Sequence, residues 1–301
     1  MSRQAMGGVF TVTAYGVDSE SIEGPVTLAL AEANRLDHLL SNYREDSEWS
    51  RVNRLAASEP VTVSEELFNL LSACEEYSRH SEGTFDITVG PLVKAWGFFK
   101  DAGFVPTASE LDAARANVGW RYILLDPQHR TVRFARPGVQ LDPGGIGKGY
   151  AVDRMAEILR HDGVRSALIS AASSSVYAIG APPSLSAWDV SIPNPAKPHE
   201  NVQVVHLRDQ SISSSGSYEK FFVSNERVYS HIMDPRNGYP AQGRSSVSVI
   251  APRTIDSEAW AKPYFIMGRE WTERHRPSGV RVFMCEAADP MQKQSNCSWV
   301  M

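Results

Sequence analysis

The stretch "DSEAWAKPYFIMG" (Asp256–Gly268) sets an acid and a base four residues apart, followed by a proline. At (i, i+4), Glu258 and Lys262 share one helix face. Pro263 falls in the second turn of a helix opening near Glu258, where a missing N–H and a ring clash cost about 3 kcal/mol. The pair reads either as a surface ion pair on a short bent helix or as part of a site. A second concentration is "LDPGGIGKGYAVD" (Leu141–Asp153), where Gly144, Gly145, Gly147 and Gly149 surround Lys148 between a strand and a helix. Glycines let a backbone approach a ligand closely, helix N-terminal amides favour an anion, and a lysine adds a point charge. That chemistry suits a phosphate group; the alternative is a tight strand-to-helix turn. It is neither a Walker loop, because Gly149 stands where Ser or Thr should follow the lysine, nor a GxGxxG turn.

Three further stretches carry reactive or ligand-binding types. In "YSHIMDPRNGYP" (Tyr229–Pro240), His231 sits on a strand before an Asp-Pro and Asn-Gly turn, as a general base or as a structural histidine. "LSNYREDSEWSRVN" (Leu40–Asn53) offers Tyr43 as a stacking surface for a planar ligand, or is a polar loop anchored by Trp49 and Val52. In "GTFDITVGPLVKAWGF" (Gly83–Phe98), Asp86 either caps local amides or meets a ligand.

Hydrophobic periodicity supplies the elements that must position these residues. Val9–Tyr15 alternates as an edge or hairpin strand. Pro25 opens a helix with Val26, Leu28, Leu30, Ala33, Leu36, Leu39 and Leu40 on broadly one face, and Thr62 with Glu65 makes a capping-box pattern for a second. A third helix spans Tyr150–His161 and ends at Gly163, a suitable C′ residue. Strands then cluster from Ser166 onward, ending with "VRVFMCEA". Helices early and strands late predict an α+β fold in one continuous domain over residues 1–290, with a polar C-terminal tail over 291–301.

Bulk properties exclude several classes. The chain has 301 residues, a net charge of −5 and scattered basic residues, so it lacks the footprint of a nucleic-acid binder. No apolar run reaches the 18 or so residues of a membrane helix. Cys74, Cys285 and Cys297 are odd in number and far apart, which argues against a disulfide framework and a CxxC zinc site and predicts reduced or buried thiols. The N-terminus has no apolar export signal, so the chain is cytoplasmic as written, and the compartment is left unassigned.

The order of seven blocks carries more than any single one. "MGGVFTVTAYG", "LSNYREDSEWSRVN", "GTFDITVGPLVKAWGF", "LDPGGIGKGYAVD", "SSSGSYEKFF", "YSHIMDPRNGYPA" and "SVSVIAPRTIDSEAWAKPYFIMG" run from Met6 to Gly268. In this order the chain resembles the FAD:protein FMN transferase family, the ApbE-like flavin transferases. The resemblance implies a T-fold-like α+β domain, an antiparallel sheet with packed helices. It also implies an enzyme that cleaves FAD with the help of Mg²⁺, passes FMN to a Thr or Ser of a target protein and releases AMP. Some members instead hydrolyse FAD to FMN and AMP, and the family often acts at the bacterial cell envelope. Position by position, it implies FAD contacts at Met6, Tyr43, Thr84, Phe85, Asp86, Asp142, Lys148 and Ile232, with Thr84 where alanine is usual, and a catalytic role for His231.

The resemblance breaks at the metal. The family's ligands are a backbone carbonyl in the glycine turn, here Gly145, and side chains of a D-A-x-x-T motif, here "EAWAK". Glu258 can still ligate Mg²⁺ through oxygen, but Lys262 cannot, because an ammonium has no lone pair. Lys262 therefore either places its own cation where the metal charge would be, or points to solvent as half of an exposed pair. The loss adds a third expectation to transfer and hydrolysis: a catalytically impaired FAD-binding protein. A second departure is "LISAASSSVYAIG" (Leu168–Gly180), where small residues replace an Asn- and Gly-rich strand end.

Overall fold

The computed structural model describes residues 1–100 and 103–301. Its frame is an antiparallel eight-stranded sheet whose strands lie side by side in the order the chain makes them. They are Ser2–Ala5, Gly8–Tyr15, Ser166–Ala171, Ser175–Ile179, Gln210–Gly216, Arg244–Ala251, Arg281–Ala287 and Ser295–Trp299. Alternation along the strands sorts the layers. Val247, Val249 and Ala251 share a core with Tyr264 and Phe265 of the helix Thr254–Met267. Ile250 points the other way, into a core with Trp188, Ile192 and Leu207 of the hairpin Trp188–Asn194/Lys197–Leu207. On the helical face, Phe10, Val12, Ala167 and Ile169 pack with Leu30 and Leu36 of helix Glu20–Leu40 and with Met155 and Leu159 of helix Gly147–His161. The expected α+β arrangement is the one found. No helix among the described residues is long and apolar enough to cross a membrane.

Residues between the second and third strands carry a further core. Trp49, Leu67, Leu71, Phe85 and Phe134 hold helices Glu48–Leu55 and Glu65–His80 against a small sheet. This unit positions the glycine turn. Asn53 exchanges hydrogen bonds with the backbone of Leu141, donating to its carbonyl at 3.0 Å and accepting from its N–H at 2.7 Å. The indole of Trp49 donates to the same carbonyl at 3.1 Å.

Helix starts differ from the sequence expectation for local reasons. The first helix opens at Glu20, with Pro25 inside it, because the Asp18 carboxylate takes the Ser21 N–H at 2.8 Å. The second is capped by Ser64, which accepts from Leu67 N at 3.2 Å, while Thr62 belongs to a strand. The third opens at Gly147, three residues early, so Lys148 and Gly149 lie in its first turn; Gly163 closes it as expected with φ 83°. The helix carrying Glu258 opens at Thr254, which moves Pro263 into the third turn. Burial of Ile255, Phe265 and Ile266 on that helix, each worth about 1.5–3 kcal/mol, outweighs the proline.

The C-terminal expectations are corrected. Residues 291–301 include the edge strand Ser295–Trp299, whose register sets Cys297 opposite Cys285. The two form a disulfide, and Cys74 is the free, buried thiol.

Candidate functional site

Two helices that meet at the sheet cap one another. Asp153 of helix Gly147–His161 accepts from the N–H groups of Thr254 and Ile255, at 2.7 and 2.9 Å, at the start of helix Thr254–Met267. In return Glu258 accepts from the N–H of Gly149, in the first turn of the other helix. Each carboxylate thus satisfies orphan donors at a helix N-terminus. The exchange needs a glycine: a Cβ at position 149 would lie 2.6 Å from the Thr254 carbonyl oxygen and 2.8 Å from Glu258 Oε2. Gly149 is therefore a packing requirement, which explains why no Ser or Thr follows the lysine.

Lys262 lies over this junction. Its ammonium donates to the Glu258 carbonyl at 3.2 Å and stands 3.9 Å from Glu258 Oε1. Its stem crosses the glycine turn, where a Cβ on Gly145 would meet Lys262 Cε at 3.6 Å and Phe85 at 3.5 Å. The Glu258 side chain is 3% exposed and that of Lys262 22%, so this is not a surface pair. Burial lowers the Lys262 pKa below that of an ordinary lysine; Glu258 opposes the shift and Lys148 adds to it.

More charge converges here. Lys148 donates to Ser174 Oγ at 2.6 Å. It sits in the first turn of a helix, where the dipole disfavours a cation unless an anion joins it. Glu219 lies within electrostatic reach of Lys148, Lys262 and Lys220; burial raises its carboxyl pKa and the lysines pull it down. His231 lies just past strand Arg227–Ser230, with Nδ1 3.2 Å from the Lys220 carbonyl. A carbonyl only accepts, so Nδ1 carries the proton and Nε2 is left as the acceptor. Burial, with the nearby Lys262, Lys148 and Lys220 charges, pushes the His231 pKa down to about 4, which makes the ring neutral at pH 7.

The cleft continues past Asp142. One Asp142 oxygen accepts from Gly144 N at 2.8 Å and shapes the turn; burial raises its pKa. Asp142 also lines a cavity of about 240 Å³ with Tyr43, Lys94, Phe99 and Gln140. Tyr43 is exposed and stacks on Phe99, with centroids 5.0 Å apart and planes 20° apart. A separate concavity of about 630 Å³ between helices Glu20–Leu40 and Gly147–His161 contains none of the expected site residues.

The other expected residues stand behind these walls. Met6, with φ 49°, occupies the turn before strand Gly8–Tyr15 and packs against two cores. Thr84 and Phe85 are buried, the Thr84 hydroxyl donating to Ser81 O at 2.7 Å. Asp86 accepts from Thr88 N, the Thr88 hydroxyl and Trp120 N at 2.6–2.8 Å, and burial raises its pKa to about 6. Ile232 is buried, its carbonyl accepting from Ala241 N. Lys262 thus touches both Gly145 and Glu258, with the Phe85 ring at the same turn and Lys148 and His231 within electrostatic reach of it, while the side chains of Thr84, Asp86 and Ile232 are buried in protein. Residue reading missed Glu219, Ser174, Asn53 and Phe99. The signals were the acid inside "SSSGSYEKFF" and the asparagine ending "LSNYREDSEWSRVN".

The residues at the expected metal position do not fit a divalent ion. Mg²⁺ requires oxygens at about 2.0–2.1 Å in near-octahedral array. Here Glu258 Oε2 is committed to Gly149 N–H, and an ammonium group stands beside the remaining oxygen.

Comparison with known proteins places the whole chain. The ApbE family model matches residues 6–284. A FAD:protein FMN transferase of Salmonella typhimurium is 30% identical over 292 residues, covering 93% of this chain and 82% of that protein. One from Treponema pallidum is 33% identical over 247 residues, 77% of this chain and 68% of that protein. Among solved structures, an ApbE protein of Thermotoga maritima superposes with TM-score 0.88 at 26% identity, covering 99% of this chain and 96% of that one. The flavin transferase ApbE of Vibrio cholerae gives 0.84 at 27%, with the same coverage. The family match over nearly the whole length, with relatives at 30% identity or more over most of the chain, shows that the chain belongs to the ApbE family.

Proposed function

We propose that the chain cleaves FAD and transfers its FMN half to a Thr or Ser hydroxyl of an acceptor protein, releasing AMP. The observation that carries this reading is the convergence of Lys148 and Lys262 on the glycine turn at a helix N-terminus, within a family match over residues 6–284. A pyrophosphate adds a further anion, beside Glu219 and Glu258, for the lysines and the helix N-terminus. The planar flavin lies against Tyr43 beside the Asp142 cavity. Met6 and the backbone of Thr84–Asp86 border the ligand, and Ile232 supports its wall.

In the reaction, the acceptor hydroxyl oxygen attacks the phosphorus of the FMN half and the bond from that phosphorus to the bridging oxygen breaks. AMP leaves with the bridging oxygen, and the hydroxyl proton passes to a base. His231 Nε2, unprotonated at neutral pH, suits that role. Lys148 and Lys262 neutralise charge building on the phosphates.

The test is incubation of the purified protein with FAD and an acceptor-rich cell extract, with AMP and acid-precipitable flavin quantified. Equal amounts of AMP and protein-bound FMN support transfer. AMP with free FMN would assign hydrolysis instead, and intact FAD would reduce the chain to a binding protein.

A further inference from the structure

We infer that in this chain the Lys262 ammonium stands in for the divalent ion, so that the cleft holds the FAD pyrophosphate without metal. The inference rests on the reading that FAD occupies this cleft. Three observations point the same way. The Lys262 stem packs on Gly145, so its charge sits between the turn and Glu258. Glu258 is withdrawn from ligation by its bond to Gly149 N–H. Lys262 also uses one N–H on the Glu258 carbonyl, which holds the ammonium in place and leaves donors for a phosphate oxygen.

The chemistry of such a site differs from that of a metal site. An ammonium brings one positive charge rather than two and binds by hydrogen bonds, without open coordination positions. Lys148, held by Ser174, supplies the second charge from the opposite helix. Glu258 then acts as the counter-charge that keeps Lys262 aimed at the turn. This explains the coupled change of acid and neighbour in "EAWAK": once the residue at 262 carries a cation, the carboxylate needs only to pair and cap.

The experiment is FAD binding to the full chain, followed by flavin fluorescence in EDTA and in Mg²⁺, with thermal melts to verify folding. The native protein is expected to bind FAD equally well in both buffers, within about twofold. Lys262→Met, which keeps the stem and removes the charge, weakens binding about tenfold or more. Lys262→Thr combined with Glu258→Asp restores oxygen donors and makes binding at least about tenfold tighter in Mg²⁺ than in EDTA. Tenfold tighter binding of FAD to the native chain in Mg²⁺, or native-like affinity of Lys262→Met in EDTA, would overturn the inference. No FAD binding in either buffer would overturn the assignment of the cleft, and the inference with it.

Discussion

Replacing Gly149 by alanine tests the junction on which the site is built. The added Cβ would lie 2.6 Å from the Thr254 carbonyl oxygen, and real Cβ contacts are essentially never below 3.0 Å. The helices must therefore part by at least ~0.4 Å, more to reach ordinary contact. Overpacking of this kind costs about 1–3 kcal/mol. Weakening the charged bond from Gly149 N–H to Glu258 forfeits part of a further ~1.5–3 kcal/mol. Alanine returns about 1 kcal/mol through its helix propensity, since φ at 149 is not in the left-handed region. The clash outweighs propensity, and Gly149→Ala is expected to be less stable by about 2 kcal/mol in urea unfolding. FAD affinity should fall too, because Glu258 moves and Lys262 with it. A variant as stable as the native chain, or more so, would refute the reasoning: propensity would then have won and the helices would not be in tight contact.

Other predictions follow from the same contacts. Asn53→Ala removes two bonds to the Leu141 backbone, so a loss of about 2 kcal/mol in chemical denaturation is expected, with weaker FAD binding. His231 has its folded pKa lowered from 6.5 to about 4, so the unfolded chain binds more protons between those values. Its contribution to stability is present above pH 6.5 and lost as pH falls toward 4; His231→Gln should flatten that part of the pH profile, and an unchanged profile counts against the burial argument. The disulfide closes a separation of 12 residues, so Cys297→Ser is expected to cost about 2–3 kcal/mol. Reductant should shift the native chain to the same unfolding midpoint and leave the variant unmoved.

What could be read from the residues was local. The glycine turn, the helix after it and its stop at Gly163 follow from side-chain chemistry within a few positions. So does the clustering of strands after Ser166. The cross-helix capping was not legible, because Gly149 and Glu258 are 109 residues apart and nothing local marks a carboxylate as the cap of another helix. The Thr62 and Glu65 pairing suggested a capping box, whereas the strand claims Thr62 and the cap falls two residues later, on Ser64. The disulfide stayed hidden because opposition of Cys285 and Cys297 is a matter of register across a hairpin. The departure at Lys262 was visible as a residue out of place; only its stem against Gly145 and its low exposure separate a buried cation from a surface one.

The most direct measurement is a crystal structure of the chain with FAD, grown in the presence of Mg²⁺. The pyrophosphate is expected at the glycine turn, with Lys148 Nζ and Lys262 Nζ each about 3 Å from phosphate oxygens and no ion between Gly145 and Glu258. A Mg²⁺ ion ligated there, with Lys262 swung away, or FAD bound elsewhere on the molecule, would contradict it.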